Sequence, residues 1–396
     1  MDSTFIGAAA PKRRGSALTD LRASAILVAA TFIISVAAYW HGFGPGDPER
    51  YVRAALLWVE KGFYLGDTHW ALRHLFVLPL AASFAAIGVS EFSATLPNIV
   101  YAGALVAMTF YFVRRYIGEA EAAIGAAFIA TSSFFVARPI EVEAYGAEIL
   151  FDALACWLFI AAGIERRRYA LLLAAGVSAG FAWTIREQTL YLMLVFGLLV
   201  LWSRKDIWRS GLALGAGFGA VIAVEWIFYA IAAGDPFYRY KIDINHRLIG
   251  QVVVIGAEES TLAKKLTRPI KDLLVSPNTT PFLILASFAA LRPGWRAAIE
   301  TLSRRRTLFV FCAMSAVAIP ICAYAFNLSL PRYYPILTYA IFLFLAVMTT
   351  AIARRYGAPV AAAFAVVITL LNAAAADFSR YQEYSEARFL AEATAR

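Results

Sequence analysis

Apolar runs of roughly 17–25 residues recur along this chain, each long enough to cross the ~30 Å hydrocarbon layer of a bilayer as a helix. The composition agrees, because 61% of the 396 residues are hydrophobic and 16% are charged. Soluble domains average about 45–50% apolar and about 25% charged residues. The sequence therefore predicts an all-α polytopic membrane protein and not a soluble domain with a large core.

The apolar pattern predicts about eleven transmembrane helices and leaves one apolar run out. The predicted spans are 23–40, 93–113, 119–137, 147–164, 169–185, 188–202, 211–233, 279–291, 307–326, 333–352 and 358–376. The omitted run, from Leu75 to Val89, is short and contains Pro79. We expect it to form a re-entrant or interfacial helix instead of a span.

The basic clusters support leaving this run out. If Leu75–Val89 does not cross, the pairs and triplets of arginine at 114–115, 166–168, 304–306 and 354–355 all share a side with the basic amino-terminal tail. The positive-inside rule places that side in the cytoplasm. We therefore expect one transmembrane domain over 1–376, a cytoplasmic N-terminus and a short external tail at 377–396. The net charge of +9 is then an orientation signal, and nucleic acid is not an expected partner.

Two long segments, 41–92 and 234–279, hold the polar residues on the external side. All four histidines lie in them, while the loops on the other side are short and basic. A chain that concentrates titratable residues on one face is expected to work there. The three cysteines lie inside apolar runs, and we interpret them as small packing residues.

The first external segment begins with a tight exit and a surface helix. Asp47 precedes Pro48, a residue favoured at the first position of a helix, so Asp47 serves either as an N-cap or as a functional carboxylate. The stretch from Tyr51 to Lys61 has its apolar residues on one face, which favours an amphipathic juxtamembrane helix.

These residues carry a resemblance to a known family. Asp47-x-x-Arg50-Tyr51, the amphipathic helix and the stretch Trp70 to Pro79 resemble the first external loop of GT-C glycosyltransferases. The most similar branch contains the protein O-mannosyltransferases and the lipid A aminoarabinose transferases. The turns at 179–187 and 330–337 resemble later motifs of this branch, and 138–152 occupies the place of its second acidic loop. The chain departs from the pattern in two places, since Pro48 separates Asp47 from Glu49 and the Lys-Pro-Pro motif is not intact.

The resemblance implies a GT-C fold and inverting transfer of a sugar from a polyprenyl-phosphate donor to an acceptor hydroxyl. A carboxylate must accept the acceptor's proton, and we assign this to Asp47 with Glu49 in reserve. The leaving phosphate needs permanent positive charge. Five residues are the predicted phosphate ligands: Arg50, Arg73, His74, Arg186 and Arg332. Arg186 could instead pair with Glu187 or snorkel to the interface.

A second group of residues is predicted to serve the acceptor. It comprises Glu141, Glu143, Tyr333 and His246. The resemblance makes no cofactor certain and leaves a divalent metal open. The acceptor can be a lipid, a polysaccharide or a protein, and membrane lipids are expected around the chain, in a bacterial inner membrane.

The sequence leaves one alternative of a different class, a membrane transporter or lipid flippase for a lipid-linked or anionic substrate. Such proteins usually carry charges within their spans and related half-structures. Here few charges lie within the predicted spans, Glu225 most clearly, and no repeat is visible. The enzyme therefore explains the external carboxylates and arginines better.

Overall fold

The computed structural model describes residues 18–40, 47–203, 206–245, 262–277, 279–291, 302–325 and 333–375. These residues form helices, and no strand occurs among them. The first half contains α1 (Leu18–Ala38), α2 (Asp47–Lys61), α3 (His74–Ile87), α4 (Glu91–Tyr116), α5 (Glu119–Ala130), α6 (Tyr145–Ala162), α7 (Arg168–Ile185) and α8 (Tyr191–Ser203). A π-helical turn (Ser133–Ala137) and a 3-10 turn (Glu187–Leu190) follow α5 and α7.

The second half begins with α9 (Ile207–Ala233), followed by a helical segment, α10, at 238–245. The later helices are α11 (Leu262–Val275), α12 (Thr280–Leu291), α13 (Leu302–Pro320), α14 (Pro335–Tyr356) and α15 (Ala358–Ala374). Each of the eleven predicted spans therefore corresponds to a helix, although 119–137 is broken between α5 and the π-helical turn. The predicted tail at 377–396 lies outside the described residues.

Six of these segments are long and apolar enough to cross a membrane. They are Glu91–Tyr116, Tyr145–Ala162, Arg168–Ile185, Ile207–Ala233, Arg304–Tyr324 and Pro335–Tyr356. Four shorter apolar helices accompany them: Ser24–Ala38, His74–Ile87, Glu187–Ser203 and Ala358–Ala374. The prediction of a polytopic, all-α membrane protein is confirmed.

Ion pairs identify one of the two ends, or poles, of the helix bundle. At this end, which we call the basic pole, Arg304 Nη2 lies 2.6 Å from Glu121 Oε1 and Arg354 Nη2 lies 3.4 Å from the same oxygen. Arg115 pairs with Glu165 at 2.8 Å. The basic clusters of four different helix ends therefore meet at one pole, as the charge pattern predicts.

The chain from 47 to 90 stays at the opposite pole, which we call the site pole. Trp40, just after α1, stacks on Phe92 at the start of α4 with ring centroids 6.2 Å apart. The hydroxyl of Tyr101 in α4 donates to the Leu75 carbonyl at 2.7 Å, so α3 runs back alongside the first part of α4. Since α4 ends at the basic pole, α3 does not cross the bundle, and α1 and α4 run in opposite directions.

Glycines allow a close backbone contact between α7 and α9. A Cβ added at Gly217 would lie 2.1 Å from the Leu173 carbonyl oxygen, and one at Gly176 would lie 2.1 Å from that of Leu214. Only residues without a side chain allow two backbones to approach in this way. This contact joins the first half of α7 to the first half of α9.

Candidate functional site

Arg186 lies at the site pole, where the end of α7 meets the starts of α6 and α14. It adopts an extended conformation (φ −151°, ψ 123°) that ends the helix. Its Nη1 donates to Glu148 Oε2 at 3.0 Å, and its guanidinium lies over the rings of Tyr145 (4.4 Å) and Tyr333 (5.0 Å). Arg186 is therefore a buried cation fixed by one carboxylate and two aromatic faces.

Gln188 completes the support of this ion pair. Its Nε2 donates to Glu148 Oε1 at 3.0 Å and to the Tyr333 carbonyl at 3.2 Å. Both oxygens of Glu148 are thus hydrogen-bonded, which a fully buried carboxylate requires. One turn further into the bundle, Asp152 Oδ2 accepts from the Tyr191 hydroxyl at 2.6 Å.

A second buried arginine, Arg73, precedes α3 directly. It donates to the hydroxyl of Tyr51, whose ring packs edge-on against Phe76 at 4.7 Å. Burial raises the pKa of Tyr51 to about 12, while Arg73 opposes the shift. Tyr51 is therefore a neutral phenol at pH 7 and leaves the charge of Arg73 uncompensated by this contact.

The two arginines are electrostatic neighbours with donor capacity to spare. Arg186 acts on Arg73 as a like charge. The Nε–H groups of both residues are buried and have no hydrogen-bond partner within the described parts of the chain. Two buried guanidiniums within electrostatic range of each other, both with unused donors, form an environment suited to an anion.

Asp47 and Glu143 bring carboxylates to the same place. Asp47 begins α2, one turn before Tyr51, and both carboxylates act electrostatically on the Tyr51 phenol. Glu49 and Arg50 are exposed instead, and the Arg50 guanidinium lies 3.7 Å from the ring centroid of Trp70. Asp47 and Glu143 therefore lie within electrostatic range of the Tyr51 phenol that Arg73 contacts, whereas Glu49 and Arg50 lie on the exposed surface of α2.

The loop that carries Glu141 and Glu143 is strained between them. Val142 is fully buried and has φ 61°, a left-handed conformation that is unfavourable for a β-branched residue. Such a conformation persists only where the surroundings impose it, and it is concentrated at functional sites. Glu141 is buried and Glu143 is half-buried.

His74 packs in an aromatic cluster beside Arg73. Its ring lies 5.8 Å from Trp58, 5.2 Å from Phe228 and 5.8 Å from Tyr229, measured between centroids. Burial lowers the pKa of His74 to about 4, and the charge of Arg239 adds to the effect. His74 is therefore neutral at pH 7, so the positive charge near it comes from arginines.

Arg239, which is not among the site residues predicted from the sequence, forms a further buried cluster. Its Nη2 lies 2.5 Å from Glu187 Oε1 and its Nη1 lies 2.6 Å from Glu225 Oε1. Its Nε lies 3.5 Å from Asp243 Oδ2. The sequence holds two signals for this cluster, the i,i+4 spacing of Arg239 and Asp243 and an acidic residue, Glu225, in the interior of the predicted span 211–233.

Two expected site residues, Arg332 and His246, lie outside the described residues, whereas Tyr333 is described. Among the described residues, no three His, Cys, Asp or Glu side chains are grouped to hold a metal ion. The divalent metal left open by the sequence stays untested.

The chain is similar in fold to solved membrane proteins. The chain is similar to ArnT from Cupriavidus metallidurans bound to undecaprenyl phosphate, with a TM-score of 0.58 and 14% identity over 96% of this chain and 78% of that one. It is also similar to the Archaeoglobus fulgidus oligosaccharyltransferase in complex with Zn and sulfate, with a TM-score of 0.56 and 14% identity over 90% of this chain. These likenesses show that the chain shares the fold of these proteins, which is the GT-C fold that the sequence resemblance implies.

The likeness to these proteins covers only part of some of them. The chain spans about half (53%) of the length of the archaeal oligosaccharyltransferase. A family profile described as dolichyl-phosphate-mannose-protein mannosyltransferase matches residues 75–229, which is less than half of the chain. A search among curated proteins finds no match. The GT-C fold and the integral membrane character expected from the sequence are confirmed.

Proposed function

We propose that this chain is an inverting glycosyltransferase that moves a sugar from a polyprenyl-phosphate donor to an acceptor hydroxyl at the site pole. The observation that carries the proposal is the pair of buried arginines, Arg73 and Arg186, which act on each other electrostatically and each have a spare Nε–H donor. A lipid phosphate is an anion that reaches such a site from the membrane. The relatives add support, because one was solved with undecaprenyl phosphate and another with a dolichol-phosphate.

In this mechanism the two arginines bind the donor phosphate and stabilise it as it leaves. The acceptor oxygen attacks the anomeric carbon from the face opposite the phosphate, so the configuration inverts. The bond between that carbon and the phosphate oxygen breaks, and its electron pair stays on the phosphate. Asp47 accepts the proton of the acceptor hydroxyl. Glu143 orients the acceptor from the strained loop, where Glu141 and Tyr333 complete the surroundings.

We place this site on the external face, with the N-terminus in the cytoplasm and the chain in a bacterial inner membrane. The support is the positive-inside rule applied to the basic pole, where Arg304, Arg354 and Arg115 meet. The sugar and the acceptor, whether lipid, polysaccharide or protein, are to be identified by mass spectrometry of envelope glycans with and without the protein.

The test measures sugar transfer by the purified protein in proteoliposomes. Synthetic polyprenyl-phosphate sugars are the donors, and a membrane extract supplies the acceptor. We expect wild-type protein to consume donor and release polyprenyl phosphate. Asp47→Asn should lower the rate by at least about 10²-fold, the contribution typical of a general base. Asparagine caps helices as well as aspartate does, so this variant keeps any capping role and removes only the base.

Glu49→Gln is the matched control, because Glu49 is exposed in the same helical turn. We expect it to retain transfer. Full activity in Asp47→Asn would remove that residue from the mechanism. Donor that crosses the bilayer without being consumed would contradict the transferase and indicate the transporter.

A further inference from the structure

The cluster around Arg239 joins four elements at the site pole. Glu225 comes from α9, Glu187 from the turn after α7, and Arg239 with Asp243 from α10. The Arg239 Nη2 also donates to the Trp183 carbonyl of α7 at 3.2 Å. One buried guanidinium thus faces three carboxylates, so the cluster has more acidic groups than one cation can neutralise.

This cluster faces Arg73. Glu187 and Asp243 both act on the Arg73 guanidinium as opposite charges. The direct hydrogen bond of Arg73 goes to the neutral Tyr51 phenol, and its Nε–H is buried without a partner among the described residues. The positive potential that Arg73 offers to a ligand therefore depends on the ionisation of these two carboxylates.

Asp243 is the member of the cluster that is least well bound as an anion. Its Oδ2 lies 3.5 Å from Arg239 Nε, whereas Glu187 and Glu225 lie within 2.6 Å of the same guanidinium. The Asp243 Oδ2 is also buried without a hydrogen-bond partner among the described residues, so the cluster gives the charged form of Asp243 little support. Burial raises the pKa of Asp243 to about 8, with the charge of Glu187 adding to the shift and Arg239 opposing it.

The charged and titratable groups around Asp243 come from every element packed against it. They are Glu187, Arg239, Arg73, Tyr229 and, through Arg239, Glu225. The arginines keep their charge across the physiological range. The proton of Asp243 is therefore the variable charge of this cluster, in which three carboxylates surround one guanidinium.

We infer that Asp243 is a positioning residue whose proton controls how strongly Arg73 binds the phosphate of the lipid donor. This inference rests on the proposed function for the identity of the anion. With the proton present, Asp243 is neutral and Arg73 is available to the phosphate. When the proton is lost at higher pH, the new negative charge engages Arg73 and repels the incoming anion, so affinity falls.

The probe is a fluorescent polyprenyl phosphodiester without sugar, whose single charge is constant between about pH 6.5 and 9 because its pKa lies far below that range. Its Kd for the full-length protein in nanodiscs is measured across this range. We expect the wild-type Kd to rise about tenfold through pH 8, the order for one charge several ångströms away. Asp243→Asn should bind tightly at every pH, and Asp243→Glu should restore the pH dependence.

Asp235→Asn is the matched control. Asp235 lies just before α10 but is paired with the exposed Lys241 at 2.5 Å, so its loss should leave the wild-type pH profile unchanged. A wild-type Kd that is flat across the range, or an Asp243→Asn variant that keeps the pH dependence, would overturn the inference. Failure of wild-type protein to bind the probe at any pH would instead count against the proposed function.

Discussion

At the scale of single residues, Arg186 and Glu187 show how two neighbours in sequence can belong to different networks. The extended backbone at Arg186 points the two side chains apart, so Arg186 pairs with Glu148 and Glu187 pairs with Arg239. The sequence identifies Arg186 as a candidate, but it leaves a pair with Glu187 open. Only the packing of α6 against α7 decides the partner.

Removal of Arg186 tests this pairing. Arg186→Ala leaves Glu148 buried without its cation, which costs about 3–5 kcal/mol, so both the apparent melting temperature in detergent and donor binding should fall. The double variant Arg186→Ala/Glu148→Ala should recover most of the stability but not the donor binding. Recovery of both properties would show that Arg186 has only a structural role.

At the scale of elements, α7 and α9 depend on glycine for their contact. Gly217 touches the α7 backbone, whereas Gly215, half a turn away, has no atom within 4 Å of the position of a Cβ. The apolar periodicity predicts both helices, yet the sequence does not distinguish the glycine that faces α7 from the glycine that faces lipid.

This difference predicts opposite outcomes for two similar substitutions. Gly217→Ala should destabilise the protein by about 1–3 kcal/mol or more, because the backbones must separate to fit the methyl group. Gly215→Ala should be neutral or slightly stabilising, since alanine favours the helix. Thermal unfolding of both variants in one detergent measures this, and equal melting temperatures would contradict the described helix contact.

At the scale of the whole molecule, the non-crossing α3 determines which helix ends share a pole. It keeps α2 and α3 at the pole where α7 ends, so Arg73 and Arg186 become neighbours. If α3 crossed the bundle, every later helix would run in the opposite direction, and α7 would end at the pole opposite to Asp47.

Labelling with a membrane-impermeant maleimide tests the orientation. In a background without the three native cysteines, Lys61→Cys should react in intact cells, and Arg166→Cys should react only after permeabilisation. Both positions are exposed and lie at opposite poles. The reverse labelling pattern would contradict an external site, and labelling of both positions in intact cells would contradict the topology.

The sequence by itself determines the polytopic helical fold, because apolar length and basic loop residues act locally on how each segment meets the bilayer. It also identifies Asp47, Arg73 and Arg186 as polar residues at helix ends on one side. Only the tertiary structure shows that Arg73 and Arg186 lie within electrostatic range of each other, that aromatic burial keeps His74 neutral, and that Arg239 holds Glu187, Glu225 and Asp243. These properties depend on contacts between residues far apart in the chain, where desolvation and pairing set each charge.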